Sequence, residues 1–225
     1  NNPSVALAGT ASDLAAAFAG SFASDYTGNV TITDIHTLAQ LKAINNAITG
    51  TITLNNPSVA LAGTASDLAA ALAGSFASSY TGNVTITDIH TLAQLKAIND
   101  AITGTITLND PSVALAGTAS DLAAALAGSF ASSYTGNVTI TDIHTLAQLK
   151  AINDAITGTI TLNNPSVALA GTASDLVAAF AGTVTTHTGD ITITDIPTNE
   201  QLELIDAATT GNIIYSTGDY TVSDS

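Results

Sequence analysis

The sequence predicts an α/β tandem-repeat solenoid, with parallel β-strands on one side and helices on the other. Three observations predict it: a 54-residue period, short alternating Val/Ile–Thr runs, and capped runs rich in Ala and Leu. Periods of this length are typical of solenoids, in which each unit buries its apolar face against its neighbours. The alternative fold is a β-solenoid with few helices, which the Thr and Gly content favours.

The repeat is carried by the phrase PSVALAGTASDL, which begins at Pro3, Pro57, Pro111 and Pro165, 54 residues apart each time. It divides the chain into repeat 1 (1–54), repeat 2 (55–108), repeat 3 (109–162) and repeat 4 (163–225), together one solenoid domain. Within a copy, Thr-Gly followed by an alternating run occurs twice, as TGNVTITD and TGTITL. Two coils per 54-residue repeat are therefore expected.

The alternating runs predict parallel strands at 30–33 and 52–54 and at the equivalent positions 54 residues on. Their Val, Ile and Leu side chains point one way and their threonines the other, which is the pattern of a half-buried strand. A third candidate strand, 5–8, follows the turn at Pro3, since proline interrupts a strand ladder. Strands joined by helices run parallel.

Helices are predicted over 12–22 and 38–48. Thr10 and Thr37 are typical N-caps, the second in capping-box form with Gln40. The apolar stripes on these helices are Leu14, Phe18 and Phe22, and Leu38, Leu41 and Ile48. Gly28 and Gly50 follow the helices, where a positive φ is expected that glycine tolerates.

Repeat 4 departs from the other copies. Its first helix is predicted to be shorter, because Thr183–Asp190 replaces a segment one residue longer. Its second helix carries Glu200, Glu203 and Asp206, the polar face expected of a terminal repeat. Repeat 1 lacks such a face, so we expect the native protein to continue before Asn1 or separate chains to stack end to end on open strand edges.

Composition excludes several function classes. The formal charge of −15 repels phosphate backbones and anionic lipids, so no nucleic-acid partner is expected. The chain has no Cys, which removes disulfides and thiolate chemistry and fits a protein that need not manage thiol oxidation outside a cell. Its longest apolar stretch, 14–20, is too short to span a bilayer, so no membrane insertion is expected.

Two columns, meaning residues at one position of successive repeats, are candidate metal ligands. His36, His90 and His144 are too far apart to share one ion, so a solvent-facing or cap-supporting role is predicted for them. Asp34, Asp88, Asp142 and Asp195 each close a strand, where calcium is the weaker alternative to a role in satisfying turn amides.

Two other columns are candidate binding surfaces. Outward threonines of the VTIT and TITL runs resemble the arrays of ice-binding solenoids, although Thr is also a common exposed strand residue. Tyr26, Tyr80 and Tyr134 are predicted to pack over a turn, with a sugar-binding platform as the alternative.

No enzymatic activity is predicted. The sequence holds no nucleophile–base–orienter set, no phosphate loop and no dinucleotide fingerprint. We therefore assign no catalytic, cofactor-binding or metal-binding residue and no cofactor from the sequence.

The runs VTITD, TLAQLKAIN, TGTITL and SVALAGTASDLAAAFAG resemble the long tandem arrays of giant secreted or cell-surface proteins of aquatic bacteria, cyanobacteria among them. The resemblance spans nearly the whole chain and implies an extracellular scaffold, adhesin stalk or filament. The near-identity of the copies equally fits a consensus-designed repeat protein. The alternative function is a module that binds glycan, ice, mineral or calcium through the Thr, Tyr or Asp columns.

Overall fold

The computed structural model describes residues 2–20 and 25–216. The chain forms two compact units. Unit 1 comprises Asn1–Pro111 with Ala127–Ser132, and unit 2 comprises Ser112–Leu126 with Ser133–Ser225. The described residues contain eight helices and four three-stranded sheets, all parallel, in a repeating strand–helix order that is solenoid-like, as predicted.

The strands of the described residues are three residues long. They are β1 (Leu7–Gly9), β2 (Val30–Ile32), β3 (Ile52–Leu54), β4 (Leu61–Gly63), β5 (Val84–Ile86), β6 (Ile106–Leu108), β7 (Leu115–Gly117), β8 (Val138–Ile140), β9 (Ile160–Leu162), β10 (Leu169–Gly171), β11 (Ile191–Ile193) and β12 (Ile213–Tyr215). The helices are α1 (Ala11–Phe18), α2 (Leu38–Ala47), α3 (Ala65–Leu72), α4 (Leu92–Ala101), α5 (Ala119–Leu126), α6 (Leu146–Ala155), α7 (Ala173–Ala179) and α8 (Asn199–Ala208).

Each sheet pairs residues that are one turn of the chain apart. In the first sheet, Val30 lies opposite Leu7 on one side and Ile52 on the other. Val30, Ile32 and Ile52 are fully buried, whereas Thr53 is exposed. This confirms the predicted inner and outer faces. Because one face of each strand is buried, the register of strand pairing is also specified.

In unit 1 the second sheet begins a few residues after the first sheet ends. The last strand of the first sheet, β3, is followed after residues 55–60 by β4, the first strand of the second sheet, with no helix between them. On its free side Ile52 forms a parallel bridge to Phe76. A copy therefore contains three strands but two helices, of eight and ten residues.

The helices begin as predicted. Thr10 accepts a hydrogen bond from the Asp13 amide at 3.1 Å, and Thr37 forms a capping box with Gln40. Leu14, Phe18 and Leu41 are buried, and Leu38 is half-buried. Helices α1 to α4 of unit 1 pack on one another in chain order, which buries the stripes. No helix in the described ranges has the length and apolarity that crossing a membrane requires.

The first helix of a copy is shorter than predicted. In repeats 2 and 3 it ends at Leu72 and Leu126, and Phe76 and Phe130 form β-bridges instead of continuing the apolar stripe. The Ala-Gly-Ser sequence after each helix stops it, since glycine and serine are poor helix formers. The equivalent residue of repeat 1, Phe22, lies outside the described residues.

The expectation of positive φ at the glycines is wrong, because no glycine in the described ranges adopts it. What requires glycine is instead the close approach of neighbouring coils. A Cβ on Gly104 would lie 2.2 Å from the carbonyl oxygen of Gly82, and a Cβ on Gly82 would lie 2.1 Å from that of Val59. The glycines therefore allow backbone to stack on backbone.

Repeat 4 differs where predicted. Helix α7 has seven residues, one fewer than the equivalent helices. Helix α8 has its own capping box at Thr198 and exposes Glu200, Glu203 and Asp206.

Candidate functional site

The aspartate column joins each coil to the preceding one. Asp34 follows β2, and its carboxylate accepts a hydrogen bond at 2.7 Å from the Ala11 amide in the first turn of α1. Asp88, Asp142 and Asp195 make the same bond to Ala65, Ala119 and Ala173 at 2.7–2.8 Å. Helix amino termini leave amides unsatisfied and favour negative charge. The column thus satisfies backbone amides, which was the preferred prediction.

An asparagine column repeats this at the adjacent turn. The side-chain oxygens of Asn29, Asn83 and Asn137 accept bonds of 2.9–3.0 Å from the amides of Thr51, Thr105 and Thr159. Asp190 occupies the position in repeat 4 and bonds to Asn212. The recurring polar side chains are therefore used inside each unit to bond one coil to the next.

The tyrosine column is packed over a turn, as predicted. Tyr80 and Tyr134 are 1% exposed, and each donates its hydroxyl at 2.6 Å to a carbonyl, that of Val59 or Val113. Burial raises the pKa of Tyr80. Tyr26 makes the same contact to Val5. The rings of Tyr80 and Tyr134, buried in this way, offer no flat exposed face for a sugar to stack on.

The histidine column does not face solvent, so of the two roles predicted for it, solvent-facing or cap-supporting, the first is wrong. His36, His90 and His144 are 3–4% exposed, and burial lowers the pKa of each, partly offset by nearby aspartates. Each lies just before the N-cap threonine of a helix. This burial could not be predicted from the sequence, because a histidine next to exposed residues fits either orientation.

In unit 1, His36 contacts the tyrosine of the next repeat. Its Nε2 lies 3.2 Å from the Tyr80 hydroxyl. The Tyr80 hydroxyl donates its single proton to the Val59 carbonyl, so it must accept the hydrogen bond from His36. The His36 Nε2 is therefore the donor and carries the ring proton. Nδ1 is then a buried acceptor, and it has no hydrogen-bond partner.

Repeat 4 alters this pair. After its one-residue deletion, His187 stands at the tyrosine position, and it is fully buried. Its ring centroid lies 6.4 Å from that of His144, at an interplanar angle of 77°. Sequence reasoning missed His187, although aligning repeat 4 with repeat 3 through Thr188-Gly189 would have placed it at the position of Tyr134.

The lysine at this helix position takes part in an ion pair in each of repeats 1 to 3. Lys96 and Lys150 bond to Asp100 and Asp154 one turn along the same helix. Repeat 1 has Asn46 at that position, and Lys42 bonds to Asp67 on the next helix, α3, at 2.5 Å. This ion pair lowers the pKa of Asp67. Both side chains are partly exposed, so the pair contributes little to stability.

The threonine rows are short. In the first sheet Ala8, Thr31 and Thr53 lie opposite one another, and the same three residue types recur in the second and third sheets. Each row therefore contains two threonines next to an alanine. In repeat 4 the row ends in Ile214 instead.

An exposed isoleucine column was not predicted. Ile35, Ile89, Ile143 and Ile196 follow the aspartates and are 72–73% exposed. Two lie in unit 1 and two in unit 2. The available signal was an apolar residue that belongs to neither the strand alternation nor the helix stripe. Repeat 4 retains it although the next residue changes from His to Pro197.

The residues that the structure describes contain no cluster of three or more His, Cys, Asp or Glu side chains that could hold a metal ion. The chain matches no protein-family model and no curated protein. What the geometry offers is therefore a set of repeated contacts between coils, together with one exposed apolar column.

Proposed function

We propose that this chain is a segment of an extracellular structural repeat protein that acts as a scaffold, stalk or filament. The observation that carries the proposal is the internal use of its recurring polar groups. The Asp and Asn columns bond one coil to the next at the same distances in every copy where these bonds occur. Because the same bonds recur from copy to copy, each added copy can attach to the last one in the same way. We do not propose a catalytic activity.

The proposed location outside the cell is supported by composition. The chain has no Cys and no Met, the two side chains most easily oxidised, and it carries eighteen acidic residues against three lysines. High net charge also keeps a repetitive protein soluble.

The proposed partner is a second copy of the chain, stacked end to end. Strand β1 pairs with β2 on one side, and among the described residues no strand pairs with its other edge. Val5, next to this strand, is 50% exposed. Unpaired strand edges are templates for another chain.

Light scattering against protein concentration tests end-to-end stacking. We expect the mean mass to rise with concentration, and to stay at the monomer value after Val5→Lys and Leu7→Lys together. Thr53→Lys, on an exposed strand position within the sheet, is the matched control and should associate as the parent does. A parent that stays monomeric at millimolar concentration, with rapid hydrogen exchange in β1, would contradict the proposed partner.

The second candidate function is adhesion, and the exposed isoleucine column favours it. Exposed apolar side chains that lie together mark interaction sites, and each unit exposes two of these isoleucines. Replacing Ile35, Ile89, Ile143 and Ile196 by Ser should leave the fold intact. Loss of binding to glycan-coated, mineral or ice surfaces by this variant would support adhesion, whereas unchanged binding, or none by the parent, would count against it.

A further inference from the structure

The pair His144 and His187 is left without the hydrogen bonds that its counterpart makes. In unit 1 a tyrosine hydroxyl lies between the His36 ring and the Val59 carbonyl. At the equivalent place in unit 2 an imidazole replaces the phenol, so no hydroxyl fills that space. Neither ring nitrogen of His144 has a hydrogen-bond partner, and neither does Nε2 of His187.

This deficit is unusual for groups buried so deeply. His144 is 3% exposed and His187 is fully buried, and a buried imidazole without partners costs free energy unless a water or an ion binds it. The Nδ1 of His187 lies 3.4 Å from the Thr209 hydroxyl, a weak contact. The carbonyls of Val167 and Gly189 lie close enough to raise the pKa of His187, against the larger lowering effect of burial.

We propose that His144 and His187 form a binding site for a soft monovalent metal ion, copper(I) or silver(I), held between their two rings. With a metal–nitrogen distance of about 2.0–2.1 Å and a ring nitrogen about 1.2 Å from its centroid, two imidazoles in line with one ion have centroids about 6.4 Å apart. The observed separation is 6.4 Å.

The number of ligands selects the class of ion. Zinc takes four ligands, and the described residues supply no third His, Cys, Asp or Glu at this place. Copper(I) and silver(I) are satisfied by two neutral nitrogen ligands in line, and imidazole suits copper. A single charge is also less costly to bury than a double charge.

Silver(I) is the probe, because it does not change oxidation state in buffer. The chain contains no Cys and no Met, so its four histidines are the soft side-chain ligands it offers. Titration calorimetry of silver nitrate into the whole chain, in chloride-free buffer at pH 7.5, should show one equivalent bound. The melting temperature should rise with silver concentration, since a ligand of the folded state stabilises it.

His187→Tyr is the decisive variant, because tyrosine is the residue that repeats 1 to 3 carry at this position and the fold already accommodates it. We expect this variant to bind silver at least tenfold more weakly. His36→Gln, in the pair that contains a tyrosine, should bind as the parent does. His144→Gln provides a second test if His187→Tyr does not fold.

Three results would overturn the proposal. They are the absence of a silver-dependent rise in melting temperature in the parent, equal affinity in the parent and His187→Tyr, and a stoichiometry that falls equally with loss of any histidine. The first result would mean that water alone occupies the space between the rings.

Discussion

Single residues in this protein differ in function according to which face of a coil they occupy. The same chemical group, a threonine hydroxyl, caps a helix at Thr10 and is exposed on a strand at Thr53. The apolar side chains that fill the interior are small or medium in size, so each makes a limited contribution. Truncating one of them should lower the free energy of unfolding by an amount that grows with the volume of the cavity it leaves.

Leu72→Ala should destabilise the folded protein by about 2–5 kcal/mol, because the side chain is buried on α3 and its removal leaves a cavity. Thr85→Ala, on the outer face of β5, should cost less than about 1 kcal/mol. Urea unfolding followed by circular dichroism measures both. Equal destabilisation would mean that the inner and outer faces are wrongly assigned.

Acid should destabilise the protein through its buried histidines. Burial lowers the pKa of His36, so below about pH 6.5, the ordinary histidine pKa, the unfolded chain binds more protons than the folded one. Stability is then complete above that pH and falls as the pH drops toward the folded pKa. A protonated ring would also place an N–H donor at Nδ1, which has no acceptor.

His36→Gln tests this directly. Glutamine can still donate to the Tyr80 hydroxyl but does not titrate, so its stability should fall less than that of the parent between pH 7.5 and pH 5. Denaturant titrations at several pH values give the comparison. Parallel pH profiles for the two proteins would show that His36 does not contribute.

At the scale of the element, the sequence predicted what local chemistry decides. Helix starts were correct because Thr37 and Gln40 satisfy each other's backbone groups within four residues. Strand faces were correct because alternation has a fixed period. The end of the first helix was not, since Phe76 continues the helical spacing in sequence, whereas in the fold the helix ends at Leu72, before Ala-Gly-Ser, and Phe76 pairs with Ile52.

The same limit applies to the candidate sites. The role of Asp34 was predictable because a carboxylate at a strand end next to helix starts has an evident use. Burial of His36 depended on Tyr80, 44 residues later, and so on how the coils stack. Contacts of this kind depend on how far apart neighbouring coils lie, and a pattern within a few residues of sequence does not predict that distance.

Gly104→Ala should cost about 1–3 kcal/mol, because its Cβ would lie 2.2 Å from the Gly82 carbonyl oxygen and the coils would have to move apart. Gly9→Ala is the matched control. A Cβ there would meet Leu14 at 3.6 Å, an ordinary contact, so stability should hold or rise slightly. Thermal melting measures both changes. Equal effects would mean that close approach of the backbone is not what requires glycine at 104.

At the scale of the whole molecule, the main property is the large negative net charge. Packing between neighbouring residues does not offset the repulsion that this charge causes. The chain carries a formal charge of −15, and its described ion pairs use three lysines. Repulsion among the remaining carboxylates opposes the compact state. The protein is therefore expected to be more stable where that repulsion is weakened.

Raising sodium chloride from 10 mM to 300 mM at pH 7.5 should raise the melting temperature, because salt screens like charges more than about 10 Å apart. The same addition near pH 4.1, the isoelectric point, should have a smaller effect. Calorimetry at both pH values provides the measurement. A lower melting temperature in salt at pH 7.5 would show that attractive ion pairs outweigh the repulsion.

The passage from β3 to β4 without a helix has a consequence for how such a protein changes length over generations. A copy contains two unlike coils, one with an eight-residue helix and one with a ten-residue helix, so the smallest insertion that preserves every neighbour is 54 residues. Recombination between identical stretches in register inserts or deletes that amount and leaves each Asp, Asn and Gly opposite its partner. Insertion or deletion of one coil alone would place two coils of the same kind next to each other. Glycines such as Gly82 would then no longer lie against the backbone carbonyl that they contact now. Near-identical copies are thus the form in which lengthening of the gene leaves the protein folded.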